Sequence, residues 1–281
     1  MDQMRIFLMT FSLLLIFSCN VSETNHDLDE VSEFEIEEGF QIQCVAKHPL
    51  VTSPVNIHFD ENGKAWVIEL KSYMSDIDGL NEEEPNCRIK ILSDTNQDGI
   101  FDHYEIFLDS LTLPRGVLPV YEGVLVALPP ALWYYDKSGK DRHLVDSTYA
   151  VGGNVEHQAN GLIKGIDNWI YSAKSDKRYK KINNEWVIEY TRFRGQWGID
   201  QDDYGRLYYN HNSILLQTEF FPPNTLGRYT NFFYPSFKQI VPDVENNDRL
   251  FPIQSTLGVN RAYEDGILDS LNRLKYCTSC C

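Results

Sequence analysis

The sequence predicts an all-β chain built from repeated hairpins, and three observations support this prediction. One phrase recurs along the chain: an apolar run, a turn containing Asp, Asn or Gly, and then an aromatic-rich run. Gly, Pro, Asn and Asp are spread throughout, as many short strands joined by turns require. No stretch keeps the apolar period of an amphipathic helix over three turns.

The recurring phrase begins near residues 54, 116, 160 and 195, so that successive starts are between 35 and 62 residues apart. Its turns, DENG, YEG, IDN and DDYG, each separate two strands of alternating polarity, which is a hairpin pattern. About four strands per unit at this spacing is typical of a β-propeller. A sandwich would not repeat the same turn chemistry, and solenoid repeats are shorter. We expect an incomplete propeller with about four to five blades, truncated at the C-terminus.

The N-terminus predicts export and lipidation. Residues 6–17 form an apolar run that is too short to span a bilayer and has the length of a signal-peptide core. The run ends in Ile16-Phe17-Ser18-Cys19, which resembles a bacterial lipobox, so we expect cleavage before Cys19 and a lipid on its thiol. The alternative is an ordinary secretory signal with a chance cysteine. The chain then divides into a signal segment with the lipidated Cys19 (1–19), an acidic flexible tether (20–38) and the propeller domain (39–281).

The charge of the chain disfavours nucleic acid as a partner. Its formal net charge is −16, from 41 acidic and 25 basic residues. A surface this acidic repels phosphate backbones. Together with the lipid anchor, the composition predicts an exported lipoprotein on the periplasmic face or cell surface of a Gram-negative bacterium, with the anchor as its membrane contact.

The cysteines near the C-terminus predict a structural disulfide. Three of them lie in Cys277-Thr278-Ser279-Cys280-Cys281. Attachment of a c-type haem needs His after the second cysteine of C-x-x-C, and Cys281 stands there instead. A second cysteine pair at zinc-binding spacing is also missing from the sequence. A disulfide within the cluster is therefore our interpretation.

Residues 94–105 predict a calcium loop. They fit the pattern D-x-[DN]-x-[DN]-G-x5-E at every position. The flanking segments CRIKIL and EIFLDSL predict strands, so we expect structural Ca²⁺ on a β-hairpin rather than an EF-hand. The alternative is a solvated acidic turn. The predicted oxygen ligands are Asp94, Asn96, Asp98, the carbonyl of Ile100, Asp102 and Glu105.

The segment 156–171 carries a resemblance to a known family. Its phrase H-Q-x-x-x-L-x-x-G-x-D-x-x-I-Y, beginning at His157, is similar to that of the soluble PQQ-dependent sugar dehydrogenases, which are six-bladed propellers. From about residue 40 onward the chain also resembles the membrane-bound dehydrogenase propellers of the PVC type, through DTNQDG, LPRGV, PPALWYYD and GVNRAYEDGILD. The resemblance implies a propeller of the six-bladed type. It also implies a quinoprotein that oxidises a sugar or alcohol hydroxyl, with His157 as general base, PQQ as cofactor and a cytochrome c as electron acceptor.

The segment Arg194-Gly195-Gln196-Trp197-Gly198-Ile199 resembles the cofactor-binding phrase R-N-x-Q-G-L of these dehydrogenases, with Gln196 one place early. The resemblance implies that Arg194 clamps a cofactor carboxylate and that Gln196 is a neighbouring ligand. Trp197 either stacks on a planar ligand or fills the core of a blade. Arg115, in LPRGV, begins a blade where inner strands reach the channel, so it is a further ligand candidate; the alternative is a surface turn cation.

Two alternatives stay open. His157 is either the base that the resemblance implies or a loop histidine that bonds a neighbouring turn. Because fold alone does not give function, the whole chain is either the dehydrogenase or a non-catalytic propeller that binds glycan or protein at the cell surface. The sequence contains no G-x-S-x-G elbow, P-loop or dinucleotide fingerprint, which disfavours nucleotide and nicotinamide chemistry.

Overall fold

The computed structural model describes residues 34, 36–75, 78–153, 155–211, 214–219, 221, 223 and 238–240. The chain divides into two compact units, Met1–Cys44 and Val45–Cys281. In the first unit, a turn closes where the amide of Phe40 donates to the carbonyl of Glu37 at 3.2 Å. Cys19, most of the tether and the cysteine cluster at 277–281 lie outside the described residues, so their lipidation and disulfide stay predictions.

Four antiparallel sheets form the second unit, and in each of them four strands pair in chain order. The first sheet contains β1 (Pro54–Phe59), β2 (Ala65–Glu69), β3 (Cys87–Ser93) and β4 (His103–Leu111). The second contains β5 (Gly116–Val120), β6 (Gly123–Leu128), β7 (Ala131–Asp136) and β8 (Arg142–Asp146).

The third sheet follows a 3-10 helix, Val155–His157. It contains β9 (Asn160–Lys164), β10 (Ile170–Ala173), β11 (Ser175–Ile182) and β12 (Glu185–Arg194). The fourth contains β13 (Ile199–Gln201), β14 (Leu207–His211), β15 (Ile214–Glu219) and β16 (Lys238–Ile240). Among the described residues, no helix has the length and hydropathy needed to cross a bilayer.

Apolar clusters lie between the faces of consecutive sheets. Trp66 and Ile89 of the first sheet pack with Val117 and Val126 of the second. Further clusters join the second sheet to the third and the third to the fourth, for example through Tyr171 and Leu207. Each sheet therefore buries apolar side chains against its neighbours, as blades of a propeller do. The predicted all-β propeller fold is confirmed, with four blades in the described part of the chain.

The predicted hairpin turns are also confirmed, because DENG, YEG, IDN and DDYG each join the first and second strands of a sheet. In three of them an aspartate organises the turn. Asp60 accepts the amides of Asn62 at 2.9 Å and Lys64 at 3.1 Å, and its second oxygen accepts the indole N–H of Trp66 at 3.1 Å. These bonds satisfy the backbone where the chain reverses.

Candidate functional site

The first strands of the four sheets begin next to one another. The amide of Val117 at the start of β5 donates to Asn56 Oδ1 of β1 at 3.1 Å. The amide of Gly161 in β9 donates to the carbonyl of Arg115, just before β5, at 3.2 Å. The amide of Gly198, just before β13, donates to Asn160 Oδ1 at 3.0 Å. The segments that precede these strands therefore share one end of the propeller, which we call the entry face (residues 112–116, 155–161 and 195–199).

Arg115 lies on the entry face with two donors that have no acceptor. Its Nε and Nη2 atoms are buried and make no hydrogen bond within the described residues. Burial lowers the pKa of the guanidinium, while Tyr73, Glu82 and Tyr149 favour its charged form. The preceding Leu113 is held at a φ of 46°, a conformation that strains a bulky side chain. The surface-turn alternative does not describe this buried cation.

His157 and Trp197 meet edge to face on the same end of the molecule. Their ring centroids are 5.9 Å apart and their planes cross at 85°. His157 is the last residue of the 3-10 helix, and Trp197 lies in the connection between β12 and β13, where its amide donates to Asn210 Oδ1 at 3.2 Å. The fold thus brings together two predicted site residues that are 40 positions apart in the chain.

Gln196, next to Trp197, is 1% exposed and its Nε2 has no acceptor among the described residues. A buried amide without a partner is costly, since it loses its hydrogen bonds to water and gains none. Gln196 therefore resembles Arg115 in presenting an unused buried donor on the entry face. Such donors are the atoms that an anionic or carbonyl ligand would engage.

The structure gives Arg194 a different setting from these residues. It ends β12, is 2% exposed and forms an ion pair with Glu219 of the fourth sheet, with 2.8 Å between Nε and Oε1. Its Nη1 donates to Thr191 Oγ1 at 3.1 Å, and the guanidinium lies 5.0 Å from the ring centroid of Tyr171. The predicted carboxylate clamp therefore already holds a carboxylate of the chain itself, and its role toward a cofactor stays a prediction.

Asn160 is a polar residue at the centre of the entry face that the sequence did not single out. Its side chain forms hydrogen bonds with the segments before β9 and before β13. Its backbone carbonyl accepts a hydrogen bond from Ser172 Oγ at 3.0 Å. Ser172 Oγ lies 2.6 Å from the hydroxyl of Tyr149, whose pKa burial raises. No local pattern marks Asn160 in the sequence, because Gln196 and Gly198 lie in a segment 36 and 38 residues further along the chain.

A cleft of about 660 Å³ opens beside these residues. The connection between β2 and β3 forms one wall with residues 79–85, and Leu113 and Val155 form the other. Leu113 lies two residues before Arg115, and Val155 lies two residues before His157. The cleft therefore adjoins the segments that carry the predicted site residues, and it is large enough for a small ligand.

Comparison with known proteins places the chain in a family without an assigned activity. Residues 27–281 match the family described as Domain of unknown function (DUF7133). The chain belongs to the DUF7133 family. Among curated proteins, none matches this DUF7133 chain.

Solved structures with some likeness to the DUF7133 chain include three proteins. A protein described as a gluconolactonase has a TM-score of 0.39 and 14% identity over 63% of this chain and 58% of its own. Inactive virginiamycin B lyase from Staphylococcus aureus with quinupristin has a TM-score of 0.35 and 14% identity, and the match covers 61% of this chain and 54% of the lyase. The holo PQQ domain of pyranose dehydrogenase from Coprinopsis cinerea has a TM-score of 0.42 and 12% identity, and the match covers 64% of this chain and 49% of that domain. These likenesses carry no information about activity.

The predicted calcium loop of the DUF7133 chain joins β3 to β4, which confirms its place on a hairpin. Asp94 accepts the amides of Gln97 at 2.7 Å and Gly99 at 2.8 Å, so its carboxylate caps the turn. The carboxylate of Asp102 accepts hydrogen bonds from the amide and the hydroxyl of Thr95, and these bonds lower the pKa of Asp102. Glu105 forms an exposed ion pair with Lys64, with 3.6 Å between Oε1 and Nζ. No group of three potential metal ligands is assembled in the described part of the chain. Calcium at this loop stays a prediction.

His58 was given no role by its sequence context, yet the fold places it between sheets. It lies on β1 and faces Asp200 of β13 and the carbonyl of Leu162 in β9. Burial lowers the pKa of His58, while Asp200 and the Leu162 carbonyl act in the opposite direction. Because its neighbours come from two other sheets, its surroundings could not be inferred from local sequence.

Proposed function

We propose that this protein is a PQQ-type quinoprotein dehydrogenase that oxidises a sugar or alcohol hydroxyl at the entry face. The observation that supports it is the set of unused buried donors, Arg115 Nε and Nη2 and Gln196 Nε2, on the same end of the propeller as His157 and Trp197. The sequence phrases around His157 and Arg194 point to the same chemistry. The proposal extends the family assignment, which by itself carries no activity.

The donor set fits an anionic, planar ligand. Buried N–H donors without an acceptor are unfavourable, and a carboxylate that accepts from Arg115 Nε and Nη2 would form a bidentate, charge-assisted pair. Gln196 adds a neutral donor, and Trp197 offers an aromatic edge or face to a ring system. PQQ carries three carboxylates on a planar ring system, so Arg115, Gln196 and Trp197 are the residues that would hold it.

The reaction divides between the cofactor and the chain. When bound, PQQ would accept the two electrons and the hydrogen that leave the substrate carbon as the hydroxyl becomes a carbonyl. His157 would receive the hydroxyl proton on an imidazole nitrogen and release it to solvent. The half-buried position of His157 beside Trp197 limits its rotation, which keeps the imidazole directed at one place.

The cleft beside the entry face would admit the substrate. It is open enough for a sugar or an alcohol, and the carboxylates of Glu82, Glu83 and Glu84 on its wall can accept hydrogen bonds from hydroxyl groups. A carboxylate-rich wall also disfavours anionic substrates such as sugar acids. We therefore expect neutral sugars or alcohols rather than acids.

Export as a lipoprotein is part of the proposal. A lipid on Cys19 would hold the protein outside the cytoplasm, on the periplasmic face or the cell surface. Electrons would then pass to a cytochrome c in the same compartment. Globomycin treatment, which blocks lipoprotein signal cleavage, would retain the unprocessed precursor if this part is right, and Cys19→Ser would release the protein from the membrane fraction.

Turnover tests the proposed activity. The protein is reconstituted with PQQ and Ca²⁺, and reduction of an electron-accepting dye is followed over a panel of neutral sugars and alcohols. We expect activity that His157→Ala reduces by about two to four orders of magnitude, as loss of a general base does. Absence of turnover above the His157→Ala background with every substrate would sink the dehydrogenase proposal.

One observation favours the second candidate, a non-catalytic propeller that binds glycan or protein. The ion pair between Arg194 and Glu219 occupies the cation that the resemblance assigns to the cofactor. With that cation occupied, Arg115 alone supplies a buried charge for the three carboxylates of PQQ. Binding to a glycan array by a preparation that neither binds PQQ nor reduces dye would support this second candidate.

A further inference from the structure

Asn160 joins two segments of the entry face through one carboxamide. Its Nδ2 donates to the carbonyl of Gln158 at 3.0 Å and to the carbonyl of Gln196 at 2.7 Å. Its Oδ1 accepts the amide of Gly198 at 3.0 Å. The carboxamide therefore uses both of its N–H donors and its oxygen, which gives the side chain a single orientation.

These bonds hold the chain on either side of the ring contact. Gln158 directly follows His157, while Gln196 and Gly198 flank Trp197. The two bonded segments come from different places in the fold, one before β9 and the other before β13. Asn160 thus provides a hydrogen-bonded connection between the backbone that carries the imidazole and the backbone that carries the indole.

The close approach of the two sheets at this point leaves little room for another arrangement. Gly161 has a φ of +56°, and a Cβ atom added to it would lie 3.3 Å from the Cα of Gly198. A side chain at position 161 would therefore push the segment before β13 away from β9. The sequence Asn160-Gly161 supplies both the carboxamide and the space that its bonds need.

A comparison within the chain separates this arrangement from ordinary blade packing. Asn56 occupies the matching place on β1 and accepts the amide of Val117 at 3.1 Å. That is its one side-chain hydrogen bond in the described part of the chain. That junction therefore has one such acceptor bond, whereas Asn160 adds two Nδ2 bonds to the bond that its Oδ1 accepts.

We propose that Asn160 is a positioning residue that sets the contact between His157 and Trp197. The inference rests on the proposed function only for its catalytic meaning, because the ring contact can be measured without cofactor or substrate. In the dehydrogenase, this residue would fix the imidazole relative to the residues that hold the cofactor. A shift of about 1 Å at such a group can cost about 100-fold in rate.

The substitution Asn160→Asp isolates the donors. It keeps the shape of the side chain but replaces Nδ2 with a carboxylate oxygen, which would repel the carbonyls of Gln158 and Gln196. Asn160→Ser is the second variant, because its hydroxyl is too short to reach both carbonyls. Asn56→Asp is the matched control, since it alters a blade junction that carries neither His157 nor Trp197.

Trp197 fluorescence measures the contact directly, because indole emission depends on whether an imidazole packs against the ring. The emission of the full chain without cofactor is compared, at one fixed pH, with that of the same chain carrying His157→Gln. The difference is the quenching step of this pair, and Trp197→Phe shows that it arises from Trp197. We expect the step in the wild type and in Asn56→Asp. We expect it to be largely lost in Asn160→Asp and Asn160→Ser at temperatures where both variants are folded by circular dichroism.

Three results would overturn the proposal: an unchanged quenching step in both Asn160 variants, an equal loss in Asn56→Asp, or failure of both Asn160 variants to fold while Asn56→Asp folds. The last would give Asn160 a role in folding alone. Failure of PQQ binding or turnover with the expected fluorescence pattern would instead count against the proposed function and leave the positioning role in place.

Discussion

Arg115 and Arg194 show how two arginines of one propeller can differ in their surroundings. Arg194 is paired with Glu219 across a blade junction, whereas Arg115 has two buried N–H groups without an acceptor in the described residues. A paired buried charge contributes to the folded state mainly because removing it strands its partner. Buried N–H groups without an acceptor destabilise the folded state, and a ligand that accepts from them removes that destabilisation.

The contrast predicts different effects of the same substitution. Arg194→Met strands Glu219 and should lower the free energy of unfolding by about 3–5 kcal/mol. Arg115→Met strands no described carboxylate, so the free energy of unfolding of the ligand-free protein should stay within about 1 kcal/mol or rise. Urea unfolding of both variants measures the difference. Equal destabilisation by the two substitutions would mean that Arg115 has a structural partner.

His58 should make the free energy of unfolding depend on pH. Its pKa in the folded protein lies below the ordinary value near 6.5 because of burial, so the unfolded chain binds the proton more readily. This contribution to stability is therefore fully present above the unfolded pKa and is lost as the pH falls below it. Each unit of pKa difference corresponds to about 1.4 kcal/mol.

The measurement is urea unfolding at pH 7.5 and pH 5.5 for the wild type and for His58→Gln. The wild type should lose more stability between the two pH values than the variant does, because the variant has no imidazole to protonate. His143 is exposed on β8, so His143→Gln serves as a control that should keep the wild-type pH dependence. Identical losses in the wild type and His58→Gln would contradict the lowered pKa of His58.

Residues of this kind mark where sequence reasoning reached its limit. Arg115 could be singled out because LPRGV opens a repeat. Asn160 and His58 could not, because contacts that define each of them come from segments distant in the chain: Gln196 and Gly198 for Asn160, Leu162 and Asp200 for His58. Arg194 lay in a recognisable phrase, but its partner Glu219 is 25 residues away and belongs to the next sheet. Local pattern does not show which face of a blade the last residue of a strand occupies.

The hairpin turns at the element scale were predictable, because their chemistry is local. In DDYG, Asp202 accepts the amides of Tyr204 at 3.0 Å and Arg206 at 2.9 Å, and the Arg206 side chain at 2.8 Å. Asp203, its neighbour in the same turn, is exposed and has no hydrogen bond in the described structure. Asp203 therefore serves as a control for substitutions of Asp202 in the same turn.

Asp202→Ala should lower the free energy of unfolding by about 1–3 kcal/mol, because it leaves two turn amides and a guanidinium without their acceptor. Asp203→Ala should change it by less than about 0.5 kcal/mol, as an ordinary surface substitution does. Thermal or urea unfolding of the two variants gives the comparison. A cost for Asp203→Ala as large as that for Asp202→Ala would show that the charge of the turn, rather than its hydrogen bonds, is what matters.

The loop at 94–105 allows a second element-scale test. Glu105 takes no part in capping the turn and has an exposed contact with Lys64. Glu105→Gln should therefore leave the melting temperature in EDTA unchanged, since exposed ion pairs contribute little. Calcium binding would require Glu105 to leave Lys64 and turn toward the loop.

If the loop binds calcium, saturating Ca²⁺ should raise the melting temperature of the wild type, and Glu105→Gln should reduce that rise. Differential scanning fluorimetry in EDTA and in millimolar Ca²⁺ measures both. A wild-type melting temperature that is the same in both buffers would leave 94–105 as a turn capped by its own carboxylates.

For the whole molecule, the repeat predicted the fold but not the site. The spacing of the turns was enough to predict sheets that start near residues 54, 116 and 160, and the strands begin there. Arg115, His157, Gln196 and Trp197 converge on one face because the segments at the starts of the first strands lie next to one another. That arrangement depends on packing between sheets, which no single repeat encodes.

The central claim is that the entry face holds an anionic cofactor through Arg115. Equilibrium binding of PQQ to the full chain, followed by isothermal titration calorimetry, tests it most directly. Arg115→Met is compared with the wild type, and Arg142→Met, at an exposed position where β8 begins, is the control. The account predicts saturable binding to the wild type and to Arg142→Met, and an affinity at least about ten-fold lower for Arg115→Met, the cost of losing a charged hydrogen-bonded pair. No saturable binding to the wild type, or equal affinity in all three proteins, would contradict it.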